Sequence, residues 1–173
     1  MIWRWLMTIT VGLMAGFWEV SVTPFMPSEL AWYPLLPIAV LLLVSSKRAR
    51  AFAALAAGGM ILDAYRWAQI DVATLRLVLV LLILDAVSNR LLTNRSVYAS
   101  VVLVWIGRLI DWVGAYLLSL IGTWIDPTKY PWHLPVDAWW VLILDAGSVA
   151  LGFLLIAGFT RRFVTLGKRE SLF

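Results

Sequence analysis

The chain has no cysteine in 173 residues, which excludes disulfides, thiolate metal sites and thiol nucleophiles. Its one histidine, His133, lies in a proline-rich stretch, so no histidine-based metal centre is expected. Neither a glycine-rich phosphate loop nor a Ser–His–Asp set is available, and no cofactor is expected. Charge is also scarce. Charged residues make up 14% of the chain and hydrophobic residues 62%, whereas a soluble domain carries about 25% charged residues. Too little polar surface remains to cover a water-soluble fold, so much of the chain is expected to face lipid.

The formal net charge is +4. In a soluble protein such an excess points toward nucleic acid. Here the basic residues cluster between apolar stretches, as they do when they face the cytoplasm and anionic head groups. The lipid bilayer is therefore the expected partner, and nucleic acid is not.

An apolar helix of about 20 residues crosses roughly 30 Å of hydrocarbon. Six segments fit, at about 3–22, 30–46, 51–65, 72–88, 97–121 and 138–159. The expectation is an all-α bundle of six membrane helices forming one domain over residues 1–173. The first segment is not read as a secretory signal, because Trp18 and Glu19 stand where small cleavage-site residues are needed. The connection TWIDPTKYPWHLPVD holds three prolines, which forbid continuous helix.

The charge pattern tests the count. With the N-terminus inside, cytoplasmic segments carry Arg4, then Lys47, Arg48 and Arg50, then Arg90 and Arg95, then Arg161, Arg162, Lys168 and Arg169. Outer connections carry only Arg66 and Lys129, which is ten against two. That alternation supports both termini on the cytoplasmic side of an inner membrane. Trp32, Trp67, Trp124, Trp132, Trp139 and Trp140 all fall near outer helix ends, where indole rings anchor at the interface.

Glu19, Asp63, Arg76, Asp85, Arg108, Asp111 and Asp145 lie in or at the edges of the spans. A charge near the membrane centre costs about 2.5–3.5 kcal/mol, so such residues face the bundle interior and pair. Counting about 1.5 Å per residue from the inner helix ends puts Arg108 near ~16 Å and Asp63 near ~18 Å. Asp111 and Asp145 come out near ~21 Å, Arg76 at a similar height but free to snorkel outward, and Asp85 low. Asp63, Arg108, Asp111 and Asp145 thus form a candidate site. It is either an interhelical polar clasp, with Arg108 held by Asp111 and Asp145, or a solute path. An aspartyl dyad of Asp111 and Asp145 is disfavoured, because Arg108 keeps both ionised. No catalysis is expected.

Gly12 and Gly16 form a GxxxG pair, and Ala54 with Gly58 repeats the small-residue spacing. Such residues let helix backbones approach closely, within the chain or between chains. LILDAVS at 82–88 recurs as LILDAGS at 142–148, but leucine-rich helices match readily and the two Asp differ in depth, so coincidence is the expectation. The sequon Asn94-Arg95-Ser96 falls on the expected cytoplasmic side, where it has no meaning.

The stretch YPLLPIAVLLLVSSKRARAFAALAAGGMILDAYR has a proline-started apolar helix, a basic turn and a small-residue helix ending in Gly58, Gly59 and Asp63. It resembles the bacterial rod-shape-determining MreD family, loosely over about residues 17–122. The turn after Asp63 lacks the family's glycine. The resemblance implies a non-enzymatic inner-membrane scaffold in cell-wall elongation, beside MreC-like and wall-synthase partners. It gives Gly58, Gly59 and Asp63 the role of packing the third helix. A second family of similar shape is the substrate-binding S components of energy-coupling-factor vitamin transporters. That likeness implies a solute site under the outer loops and docking through Gly12, Ala15 and Gly16.

Overall fold

The computed structural model describes residues 2–27, 31–45, 47–65, 72–91, 96–125 and 138–170, with side chains over the same stretches except 90, 91, 125, 138 and 157–170. All regular structure there is helical, with no strand. Six α-helices follow one another: α1 Ile2–Ser21, α2 Leu35–Val44, α3 Arg48–Tyr65, α4 Ala73–Leu91, α5 Val97–Ile125 and α6 Ala138–Glu170. One turn of 3-10 helix, Thr23–Phe25, follows α1.

The second helix departs most from the sequence reading. Helix was expected from about residue 30, but residues 31–34 are not helical and α2 has only 10 residues. Two prolines explain this. Pro34 biases the residue before it away from helical geometry, and Pro37 lacks an N–H in the first turn, where none is needed. At 1.5 Å per residue α2 is about 15 Å long, half the thickness of the hydrocarbon. The helices α3 to α6 run longer than expected. Arg48 and Arg50 open α3 rather than forming a loop, and α6 continues through the basic tail to Glu170.

The short helix is the hub of the bundle. It packs against α1, α3, α4, α5 and α6, and among the described residues no other helix touches all the rest. Leu35, Leu36, Ala39 and Val40 are fully or almost fully buried, with Leu43 and Val44 close behind. A helix apolar on every side belongs in an interior, and α2 occupies one.

Around it, α1 lies along α3 through the small-residue pairs. A Cβ at Gly12 would collide with the Ala54 backbone, and one at Gly16 with the backbone of Gly58. Both GxxxG-type motifs are thus spent on one contact inside the chain. Gly59 faces the start of α4, where an added Cβ would sit 2.9 Å from the Thr74 Cα.

The outer faces are apolar. Met14 and Phe17 on α1, Leu109 and Leu117 on α5, and Leu151 and Leu154 on α6 are exposed. Meanwhile Arg108, Asp111 and Asp145 are buried. Polar interior and apolar exterior suit hydrocarbon, not water. Three stretches, Ile2–Phe25, Val97–Trp124 and Trp139–Ile156, are long and apolar enough to cross a membrane. The helices α3 and α4, of 18 and 19 residues, have the length but carry more charge. Trp124 and Trp139 are exposed at helix ends, while Trp32 packs edge-on against Trp18 with ring centroids 6.0 Å apart. Trp67, Trp132, His133, Arg66 and Asn94-Arg95 lie outside the described residues.

Gly12→Ile is expected to lower stability by at least ~2 kcal/mol, because the α1–α3 backbones have no room to part without losing their contact. Gly147→Ala, where an added Cβ meets nothing within 4 Å, is the matched control and should be neutral or slightly stabilising. Thermal unfolding in detergent reads both; equal melting of the two variants contradicts the packing.

Candidate functional site

The buried charges gather at the end of the bundle where α1 and α3 finish and α2, α4 and α6 begin. Their positions follow from the gap before α2. Residues 31–33 lead into α2 half-buried and without helical hydrogen bonds, while the Pro34 carbonyl already accepts the Ile38 N–H at 3.0 Å, so the polar backbone atoms before Pro34 need other partners. Two side chains supply them, and a third serves the first residue of α2. Thr23 Oγ1 donates to the Trp32 carbonyl at 2.8 Å. Arg108 Nη2 donates to the Tyr33 carbonyl at 3.1 Å. The Leu35 N–H donates to Glu19 Oε1 at 2.8 Å, so a carboxylate from α1 caps the first turn of α2.

Arg108 is the centre of the layer. Its Nε donates to Asp145 Oδ2 at 2.8 Å, and both side chains are nearly or wholly buried. Its guanidinium carbon lies 5.5 Å from the Tyr33 ring centroid, a cation–π contact. Asp111, one helical turn along α5, stands 4.0 Å from Arg108 Nη1. That is an ion pair but not a hydrogen bond. The hydrogen bond of Asp111 goes instead to Arg76 Nε at 2.7 Å.

This revises the expected clasp in two ways. Arg76 does not turn outward; it reaches across from α4 and takes Asp111. Asp63 is not a member. Its two oxygens face the Thr74 N–H at 3.3 and 3.2 Å, capping the start of α4. It shares a stripe of α3 with Gly59, one turn away, which lies against the same Thr74. The charged layer therefore joins α4, α5 and α6 with the end of α1 and the lead-in to α2, rather than α3, α5 and α6.

The other charges lie apart. Asp85 pairs with Arg48 at 3.0 Å near the opposite end of the bundle, and Arg48 also donates to Asn89. The Asp of the two LILDA segments therefore stand in unlike surroundings, one partly exposed and one fully buried. No functional likeness attaches to the repeat.

Beside the ionic layer is a partly enclosed cavity of ≈ 170 Å³. Glu19, Arg76, Arg108 and Asp111 form its polar wall, and Tyr33 and Trp112 its aromatic one. Among the described residues no group of three or more His, Cys, Asp or Glu side chains converges to hold a metal ion. Asp111 and Asp145 each rest on a guanidinium, so they do not form a dyad sharing one proton.

Sequence reasoning missed Tyr33, whose contribution is a ring and a backbone carbonyl, neither of which has a motif. Glu19 carried a signal, as a carboxylate inside an apolar run, but its partner is a backbone N–H made available only by the break before α2. The chain matches no family model, no curated protein and no solved structure.

Arg108→Met strands a buried carboxylate on Asp145 and unpairs the Tyr33 carbonyl. A loss of about 3–5 kcal/mol is expected. Arg48→Met removes a half-exposed pair and should cost less than about 1 kcal/mol. Comparing the two melting profiles in one detergent checks the ordering, and equal losses would contradict the buried layer.

Proposed function

We propose that the chain is a six-span membrane protein, both termini cytoplasmic, that acts without catalysis as a scaffold of the MreD type in bacterial cell-wall elongation. The observation that carries this reading is the closure of the site on itself. Arg108 pairs with Asp145, Arg76 with Asp111, and Glu19 and Asp63 cap helix starts. The buried charges are used to hold helices in place, which is what a scaffold needs and a reactive centre does not.

The three positions singled out by the resemblance all have packing roles. Gly58 lies between Gly12 and Leu35, Gly59 lies against Thr74, and Asp63 caps α4. The short second helix fits six crossings once its lead-in is included. Pro34 already has helical backbone angles, so the lead-in residues 31–33 add at most about 10 Å to the helix's roughly 15 Å, approaching one bilayer core. Non-helical backbone is tolerated at that depth when protein takes up its polar groups, as Thr23 and Arg108 take up the Trp32 and Tyr33 carbonyls. MreC-like proteins and wall synthases are the partners of this reading, at the plasma membrane.

A solute-binding subunit resembling the vitamin-transporter S components is the second reading, and the charged cavity favours it. The docking residues of that likeness do not. Gly12, Ala15 and Gly16 are buried against the rest of the chain, not offered to a transporter.

Two measurements test the proposal. Depletion in the source bacterium should round the cells, and the tagged chain should co-purify with wall-elongation proteins; recovery with an ATPase module instead would favour the transporter reading. For topology, the cysteine-free chain takes single reporters directly. A membrane-impermeant maleimide should label Pro24→Cys in intact cells, and Ala49→Cys only after permeabilisation. The opposite pattern contradicts cytoplasmic termini.

A further inference from the structure

The ionic layer keeps hydrogen-bonding capacity where it borders the cavity. An arginine has five N–H donors, and the hydrogen bonds of Arg108 to Asp145 Oδ2 and to the Tyr33 carbonyl use two of them. Its Nη1 stands 4.0 Å from Asp111 Oδ2, outside hydrogen-bond reach. Arg76 Nε bonds the other oxygen of Asp111, Oδ1. A donor and an acceptor 4.0 Å apart are placed for one water to bond both, at about 2.8 Å from each. Asp145 is wholly buried, whereas Arg108 keeps 5% and Asp111 7% of their surface, and both of these line the cavity.

The cavity suits water in both size and lining. Internal spaces that stay dry are apolar, while polar ones of sufficient volume hold ordered water. At ≈ 170 Å³ this one has room for several molecules. Beside the layer the space ends. Leu36 forms part of the cavity wall and also meets Gly107, where an added Cβ would stand 3.4 Å from Leu36 and 2.8 Å from Leu84. Val40, Leu84, Leu103 and Val104 continue from there as an apolar plug with almost no exposed surface.

We propose that the cavity is a water-filled vestibule closed by this plug, in which water bridges Arg108 to Asp111 and completes the hydrogen bonding of the layer. Water enters the bundle there and does not pass through it. The inference does not rest on the scaffold reading, so co-purification with wall proteins is independent of the outcome. The aqueous side to which the vestibule opens follows from the topology, which Pro24→Cys and Ala49→Cys read separately.

Thiol chemistry on the full chain in nanodiscs tests this, with a bilayer present and both faces within reach of reagent. A charged methanethiosulfonate attacks thiolate, which forms where water is present and is suppressed in apolar surroundings. Ala115 lies in the cavity wall. Leu117, about 3 Å farther along α5, is exposed on the apolar exterior, and Val104 is in the plug. Ala115→Cys should react at least about tenfold faster than Leu117→Cys or Val104→Cys. Depth alone predicts the reverse order for the first two, since Leu117 is nearer the helix end. Radiolytic hydroxyl labelling gives a second measurement on the unaltered chain. Trp112, in the cavity wall, should oxidise several-fold faster than Trp105, which is exposed on the outside of the same helix. The proposal is overturned if Ala115→Cys reacts no faster than Leu117→Cys, if the two tryptophans oxidise equally, or if Val104→Cys is as reactive as Ala115→Cys.

Discussion

A backbone polar group inside an apolar bundle must find a partner, and in this protein the requirement is sharpest just before α2. Pro34 delays the second helix, leaving the half-buried residues 31–33 without the hydrogen bonds of a helix. The protein answers with charged and polar side chains from other elements. Thr23, Glu19 and Arg108 each take one backbone group of this segment or its first helical residue. Each buried charge then creates its own demand. Arg108 brings in Asp145, and Asp111, beside Arg108, brings in Arg76. The ionic layer is in this sense a consequence of the broken helix, and it ties α1, α4, α5 and α6 to the segment they surround.

Packing below the layer follows a different rule. Between helices in lipid, apolar burial gives no driving force, so close approach has to come from shape. The paired small residues of α1 and α3 provide it, with Gly12 on Ala54 and Gly16 on Gly58. Their contact places the end of α1, and with it Glu19, beside the start of α2. On the other side of α3, Gly59 and Asp63 seat the start of α4, which aims Arg76 across at Asp111. The glycines and the charges are thus one arrangement: the first sets helix spacing, and the second uses that spacing to satisfy backbone and pair charge.

Much of this was legible in the residues. Composition and apolar segment length gave the all-helical architecture, and GxxxG spacing identified the α1–α3 contact residues, though not that their partner lay within the chain. Depth counting brought Arg108, Asp111 and Asp145 to nearby levels, as they are found. It also put Arg76 at the right height, yet a long side chain can leave the bundle or cross it, and height does not choose. Asp63 was misplaced for a related reason. A carboxylate at the end of one helix can pair with an arginine or cap the next helix, and only the position of Thr74 decides. The extent of α2 was misread because prolines near a helix start were taken as tolerated rather than as its boundary. Tyr33 acts through its carbonyl and ring face, which no motif announces.

The central claim is that the buried charges exist to satisfy the backbone around the start of α2, and amide hydrogen exchange at Leu35 measures this most directly. The Leu35 N–H should be protected in the native chain, while Glu19→Leu should accelerate its exchange by at least about tenfold and leave the α3 amides around Ala54–Gly58 unchanged. Unaltered protection of Leu35 in Glu19→Leu would contradict the account.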